Sequence, residues 1–263
     1  MAKPRLIACD IDGTLLEAGQ TSLPRETAQL IGRAIDAGIV FASASGRQYT
    51  GLKTLFAQFD GDVCHIAENG SIAYVGGELV HCVAHDADLG EELARTVFER
   101  PECELYVAGA ETCYAKPKNP AYIDHLRNVL LFDVTLVEDV SDIDEPFLKV
   151  SAYHAAFDPD RAFWERRFGG RCDVMLSSPD WIDLSPKGAS KAAGVRAVCE
   201  RLGIDPADCI AFGDADNDVA MFDLVGRSFA MEHGSELAKA HATETTPSVN
   251  ESLRRILDGA LES

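Results

Sequence analysis

The order in which short apolar runs and amphipathic stretches follow one another constrains this chain most. Residues 6–9 are a compact apolar run that stops at Asp10. Residues 24–37 carry Ala28, Ile31 and Ile35 at helical spacing, with Pro24 suited to the first turn and Gly38 to the stop. Residues 39–42 predict a second strand. Leu52, Leu55, Phe56 and Phe59 predict a helix with one buried face, and residues 63–67 a third strand. Strands alternating with helices must cross back over the sheet, so they run parallel. The predicted fold class is α/β, a doubly wound parallel sheet with helices on both faces.

That rhythm breaks and later resumes. Residues 72–75 and 79–83 flank Gly76-Gly77, a hairpin signal. From about 86 to 180 the pattern is mixed. Helices are predicted near 89–98 and 122–131 and after Asp158-Pro159, with strands near 105–107, 113–115, 134–137, 147–152, 174–177 and 181–184. This is an α+β pattern with an antiparallel sheet. The parallel pattern returns with a helix over 188–202, a strand over 210–212 and a last helix over 249–261. The expected organisation is a core of residues 1–82 and 183–263 with an α+β domain, 83–182, inserted in it.

Charge narrows the partners. Among 263 residues, 43 are acidic and 24 basic, a net charge of −19. Such a surface repels nucleic-acid phosphates and anionic lipid, so neither is an expected partner. The longest uncharged stretches, such as 37–46, are about half of what a spanning helix needs. Asp10 interrupts any secretory apolar region, and the expected location is the cytoplasm. Eight scattered cysteines with no CxxC pair predict reduced, mostly buried thiols. The composition says nothing about oligomeric state.

Four polar clusters fall where an open parallel sheet binds ligands, beyond strand ends or on the helix that follows the insertion. Asp10-Ile11-Asp12-Gly13-Thr14 follows the first strand; one carboxylate of such a pair can stay ionised as nucleophile or metal ligand while the other serves as an acid. Ser43-Ala44-Ser45-Gly46-Arg47 follows the second, and a hydroxyl, a glycine and an arginine can hold a phosphoryl group. Lys191 stands in the first turn of a helix, where it opposes the dipole and calls for an anionic partner. Gly213-Asp214-Ala215-Asp216-Asn217-Asp218 supplies hard oxygen ligands suited to Mg²⁺.

In order and spacing these residues resemble the four motifs of the haloacid dehalogenase (HAD) superfamily. Glu68-Asn69-Gly70 and residues 186–191 resemble its Cof-type branch, subfamily IIB, which carries an α+β cap domain between the second and third motifs. The resemblance implies a Rossmann-like core and a Mg²⁺-dependent phosphatase acting on a small phosphate ester through an aspartyl-phosphate. Asp10 would be the nucleophile and Asp12 the acid/base. Mg²⁺ would be held by Asp10, Asp214 and the Asp12 carbonyl. Ser45 and Lys191 would bind the phosphoryl group, with Arg47, Asn69, Asn217 and Asp218 supporting them or the substrate. Lys149, in a cap strand, is a candidate for the leaving group. Ser45 stands where the branch more often has Thr. Met231-Glu232-His233-Gly234 departs from its usual Met-Gly-Asn-Ala, and His233 is expected at the surface. A sugar phosphomutase and a non-catalytic binding protein on the same fold are the alternatives; phosphate release against isomer formation, and failure on a broad panel of esters, tell them apart.

Overall fold

The computed structural model describes residues 3–17, 20–59, 61–129, 132–154 and 160–259. The first part of the chain forms β1 (Leu6–Cys9), α1 (Arg25–Asp36), β2 (Val40–Ala44), α2 (Tyr49–Leu55), β3 (Val63–Ala67), β4 (Ile72–Val75) and β5 (Glu78–Cys82). The middle forms α3 (Ala87–Glu99), β6 (Glu104–Ala108), β7 (Cys113–Lys116), α4 (Pro120–Asp124), β8 (Val134–Leu136), β9 (Lys149–Tyr153), α5 (Arg161–Phe168), β10 (Cys172–Ser178) and β11 (Trp181–Pro186). The last part forms α6 (Lys191–Leu202), β12 (Cys209–Gly213), α7 (Val219–Leu224), β13 (Arg227–Met231), α8 (Glu236–His241), β14 (Glu244–Thr246) and α9 (Val249–Leu257). Among the described residues no helix is long and apolar enough to cross a membrane. All eight cysteines are free, and only Cys82 is exposed.

The chain divides into two compact units. One comprises residues 1–47, 52–81 and 190–263, the other 48–51 and 82–189. The first holds a sheet of order β14-β13-β12-β1-β2-β3-β4-β5. Every pairing from β14 to β3 is parallel, and β4 turns back antiparallel on β3. Alternation along each strand sends Leu6, Ala8, Ala42, Ala44 and Ala211 to one face, where they pack with Val195 and Val198 of α6, Met221 of α7 and Ala238 of α8. Ile7, Phe41 and Phe212 point to the opposite face, which belongs to α1 and α9; Leu30, Ile31 and Leu253 are buried there. A sheet covered on both faces can carry uninterrupted apolar strands, and β1 is buried throughout.

The second unit holds a sheet of order β10-β11-β9-β6-β7-β8. Its core is one-sided: Leu105, Val107, Val150, Ala152, Ile182 and Leu184 pack on Leu93 and Val97 of α3 and on Trp164 and Phe168 of α5. Three expectations are corrected here. The sheet is not wholly antiparallel, because β7 and β8 pair parallel and the chain between them crosses back through α4. The expected helix over 122–131 is α4 followed by a π turn, His125–Val129. Residues 183–189, expected in the core, lie with the second unit, because β11 continues to Pro186 and pairs with both β9 and β10. Asp158-Pro159 lies outside the described residues; the Asp160 side chain accepts from Phe163 N and caps α5.

His65 on β3 is buried; its Nδ1 lies 2.9 Å from Ser43 Oγ and its ring centroid 5.7 Å from that of Phe56. Burial pulls its pKa down to about 4, with Lys53 adding to the effect. The folded chain therefore holds His65 neutral while the unfolded chain protonates it first. Its contribution is complete above the ordinary value of 6.5 and is lost as pH falls toward 4. Urea midpoints taken between those pH values are expected to drop by the equivalent of up to ~3 kcal/mol. His65→Gln should flatten that slope.

Candidate active site

β1 lies in the middle of the parallel region, between β12 and β2. Cys9 is level with Phe212 on one side and Ser43 on the other, so the chain leaves all three strands at one height. Asp10, Ser45 and Asp214 are thereby brought together from separate parts of the sequence. Asp10 N donates to Phe212 O at 2.9 Å and Ser45 N to Ile66 O at 2.9 Å, so the backbone beyond the strands is anchored as well.

Lys191 is the first residue of α6, whose cap Ser190 accepts from Ala193 N. Its ammonium is buried and donates to Asp10 Oδ1 at 2.6 Å and Asp218 Oδ1 at 2.7 Å. Burial works against its charge, but Asp10 and Asp218 outweigh it and hold the pKa above the usual lysine range. For Asp10, burial drives the pKa upward, and Asp218 adds to this while Lys191 opposes it. Asp218 is saturated: its Oδ2 accepts from the N–H groups of Asp214 and Ala215, both at 3.0 Å. Its role in this arrangement is to tie the Asp214 loop to Lys191.

The turn after β1 is fitted around Asp214. Gly13 has φ +84, and a Cβ there would come within 2.5 Å of Asp214 Oδ2. Thr14 Oγ1 donates to Asp214 Oδ1 at 2.8 Å. His233 is exposed, as expected of it, and its Nε2 lies 2.8 Å from the Gly13 carbonyl. Ser235 N donates to Asp214 O at 2.7 Å. Neither support was visible in the sequence, because local pattern does not announce which loops will meet: His233 and Gly13 lie 220 positions apart, and Ser235 reaches Asp214 from the far side of β13.

Asp12 has a half-exposed side chain held by Arg47 through two hydrogen bonds, Nε to Oδ2 at 2.8 Å and Nη2 to Oδ1 at 2.6 Å. Arg47 was expected to face a phosphoryl group; in this structure its guanidinium is engaged by Asp12. Ser45 is buried, and its Oγ accepts from Arg47 N at 3.2 Å. Asn217 Nδ2 donates to Asn69 Oδ1 at 3.1 Å. Lys149 belongs to the second unit. It is buried there, 3.5 Å from Asp183 Oδ2, while Asp183 Oδ1 accepts from Ser151 Oγ and Trp181 Nε1.

Carboxylate oxygens of Asp10, Asp214 and Asp218 lie within 4.8 Å of one another. Three carboxylates against one lysine leave an excess of negative charge, and a hard divalent cation answers that excess. The donor set fits such an ion. Asp10 and Asp214 supply carboxylates, Gly13 leaves space where a side chain would stand, and Asn217 Oδ1 is buried with no hydrogen-bond partner.

The chain belongs to the haloacid dehalogenase-like hydrolases, a family that matches residues 7–253. It is 28% identical to the 5-amino-6-(5-phospho-D-ribitylamino)uracil phosphatase YbjI of Escherichia coli (strain K12), across 98% of this chain and 96% of that protein. It is 25% identical to the HMP-PP phosphatase of Yersinia enterocolitica, across 86% and 83%. A 28% match to the chloroplastic endoribonuclease YBEY of Arabidopsis thaliana covers 91% of this chain but only 44% of that longer protein. Among solved structures, TM0651 of Thermotoga maritima superposes with a TM-score of 0.85 at 21% identity, over 96% of this chain and 97% of that one. The HAD subclass IIB sugar phosphatase BT4131 does so at 0.79 and 19%, over 95% and 98%. The fold is that of subclass IIB, and the chain is a hydrolase of the phosphatase kind.

Asp218→Ala strips Lys191 of one partner and leaves two N–H groups without their acceptor. We expect a loss of about 3 kcal/mol or more in urea unfolding without added metal, the cost of breaking a buried ion pair. Asp216→Ala, on the exposed side of the same turn, should cost less than about 1 kcal/mol.

Proposed function

We propose that the chain hydrolyses a small phosphate monoester, a sugar phosphate or phosphorylated cofactor, with Asp10 as the nucleophile. The observation that supports this most is the Asp10–Lys191–Asp218 arrangement: one buried carboxylate held by a charged lysine, beside a second carboxylate, Asp214, in the same acidic cluster. Lys191 holds Asp10 in place and opposes the burial that would neutralise it, favouring the carboxylate that attacks phosphorus. Ser45 donates its hydroxyl to a phosphoryl oxygen. Asp12 delivers a proton to the leaving oxygen and later takes one from the water that cleaves the acyl-phosphate. Both Asp12 oxygens are engaged by Arg47, so that pair must open before Asp12 can serve as an acid.

The residues that would hold Mg²⁺ are Asp10 and Asp214 through carboxylates and Asp12 through its carbonyl. The ion would supply charge neutralisation at the transferring phosphoryl group. With a phosphate dianion bound, the three carboxylates of Asp10, Asp214 and Asp218 and the ligand carry about −5, and Lys191 with a divalent ion returns about +3. Asn217 and Asp218 would support the ion's waters and the lysine. The second unit, residues 83–182 as read from the sequence, would act as the cap that reads the leaving group, with Lys149 the candidate residue. Lys149 is paired with Asp183 at 3.5 Å within that unit.

The names of the relatives support phosphorylated small molecules as the substrate class. The deciding experiment is a panel of sugar phosphates, nucleotides and vitamin phosphates, with released phosphate and isomerised product measured separately. Phosphate release is expected to dominate; isomer formation would favour the phosphomutase, and silence across the panel the binding protein. Asp10→Asn should lower kcat by a factor of ~10⁴ or more, and acid quench of the wild type should trap phosphate on Asp10. Asp12→Ala should slow both formation and breakdown of that intermediate, while EDTA should abolish turnover until Mg²⁺ is restored.

A further inference from the structure

Glu68-Asn69-Gly70, between β3 and β4, holds Asn69, a residue expected to support the site without a stated way of doing so. All three residues have left-handed backbone, with φ of 48, 54 and 91. Among the described residues, Glu68 and Asn69 are the only non-glycines with positive φ. Such conformations are costly for residues with a Cβ and persist where the surroundings enforce them. Here the enforcement is visible. Glu68 N donates to Arg47 O at 3.1 Å and Asn69 N to Ser45 O at 2.9 Å. A Cβ on Gly70 would lie 1.9 Å from Ser190 O, at the start of the helix that carries Lys191. The turn is wedged between the Ser45 loop and the first residue of α6.

The strained backbone delivers the Asn69 side chain to Asn217. A primary amide has a donor end and an acceptor end, and its neighbours decide which way round it sits. Asn69 Oδ1 accepts from Asn217 Nδ2, which turns Asn217 Oδ1 the other way. That oxygen is buried without a partner, in the same loop as Asp214. An unpaired buried carbonyl is costly, and only a donor or a cation removes the cost. Building on the Mg²⁺ reading above, we propose that Asn69 is a positioning residue: it fixes the Asn217 amide so that its oxygen faces the divalent ion or a water bound to it.

The test is calorimetric titration of the substrate-free enzyme with MgCl₂. Asn69→Gly keeps the backbone conformation and removes the acceptor. It is expected to weaken Mg²⁺ binding by about tenfold or more, the usual range for a residue behind a metal ligand. Asn69→Asp, which keeps an acceptor oxygen and tolerates positive φ, should stay within about threefold of wild type. Asn217→Ala should weaken binding as Asn69→Gly does, and the double variant should be no weaker than Asn217→Ala alone, because one residue acts through the other. Wild-type affinity in Asn69→Gly, or two independent losses that multiply in the double variant, would overturn the assignment and leave the phosphatase reading standing. A wild-type enzyme that takes up no Mg²⁺ would overturn both.

Discussion

A lysine enclosed by protein and bonded to two carboxylates is the interaction on which the site depends. Neither partner is comfortable alone. Burial drives Asp10 toward its neutral form and works against the charge on Lys191; Lys191 opposes the first effect, and Asp10 with Asp218 outweighs the second. Asp218 completes the set and also gathers the Asp214 and Ala215 N–H groups, so the charge pair and the loop geometry are one construction. Loss of Lys191 would leave two carboxylates uncompensated and loss of Asp218 would leave two N–H groups without their acceptor, each far more costly than loss of a surface ion pair.

The fold makes that construction possible by topology. In a parallel sheet every strand delivers its carboxyl end to the same edge, and the neighbours of β1 come from opposite ends of the chain. Residues 10, 45 and 214 therefore become neighbours although the second unit intervenes in sequence. That unit has its own core on α3 and α5, so it can be inserted without disturbing the register of β1 with β2 and β12.

Apolar periodicity is a local property, and the elements it governs were legible. The runs at residues 6–9 and 63–67 coincide with β1 and β3. The motif residues could be named because they sit directly beyond such runs. What local pattern does not carry is pairing. The parallel contact of β7 with β8 depends on a crossover whose helix ends early in a π turn. The extension of β11 to Pro186 depends on partners on both sides of it. In the site, the bidentate grip of Arg47 on Asp12 and the Asn69–Asn217 bond join residues 35 and 148 positions apart. Glu68 and Asn69 show how the two levels meet. Nothing in their composition announces positive φ for a glutamate, and the conformation is fixed by carbonyls on a different loop and by the helix start beside Gly70.

Charge sets what the site can hold. A chain of net charge −19 repels anions at a distance, so any attraction for one has to be generated within a few ångströms. Lys191 cannot supply it unaided, because its charge is already balanced by Asp10 and exceeded once Asp218 is counted. Arg47 is paired with Asp12 in the same way. Every cation at the site is thus matched by protein carboxylate before a ligand arrives, and Asp214 remains over. A hard divalent cation between Asp10 and Asp214 would offset that excess at one point. The acidic composition, which argued against nucleic acid and anionic lipid, thus extends into the site, where Asp10, Asp12, Asp214 and Asp218 outnumber Lys191 and Arg47.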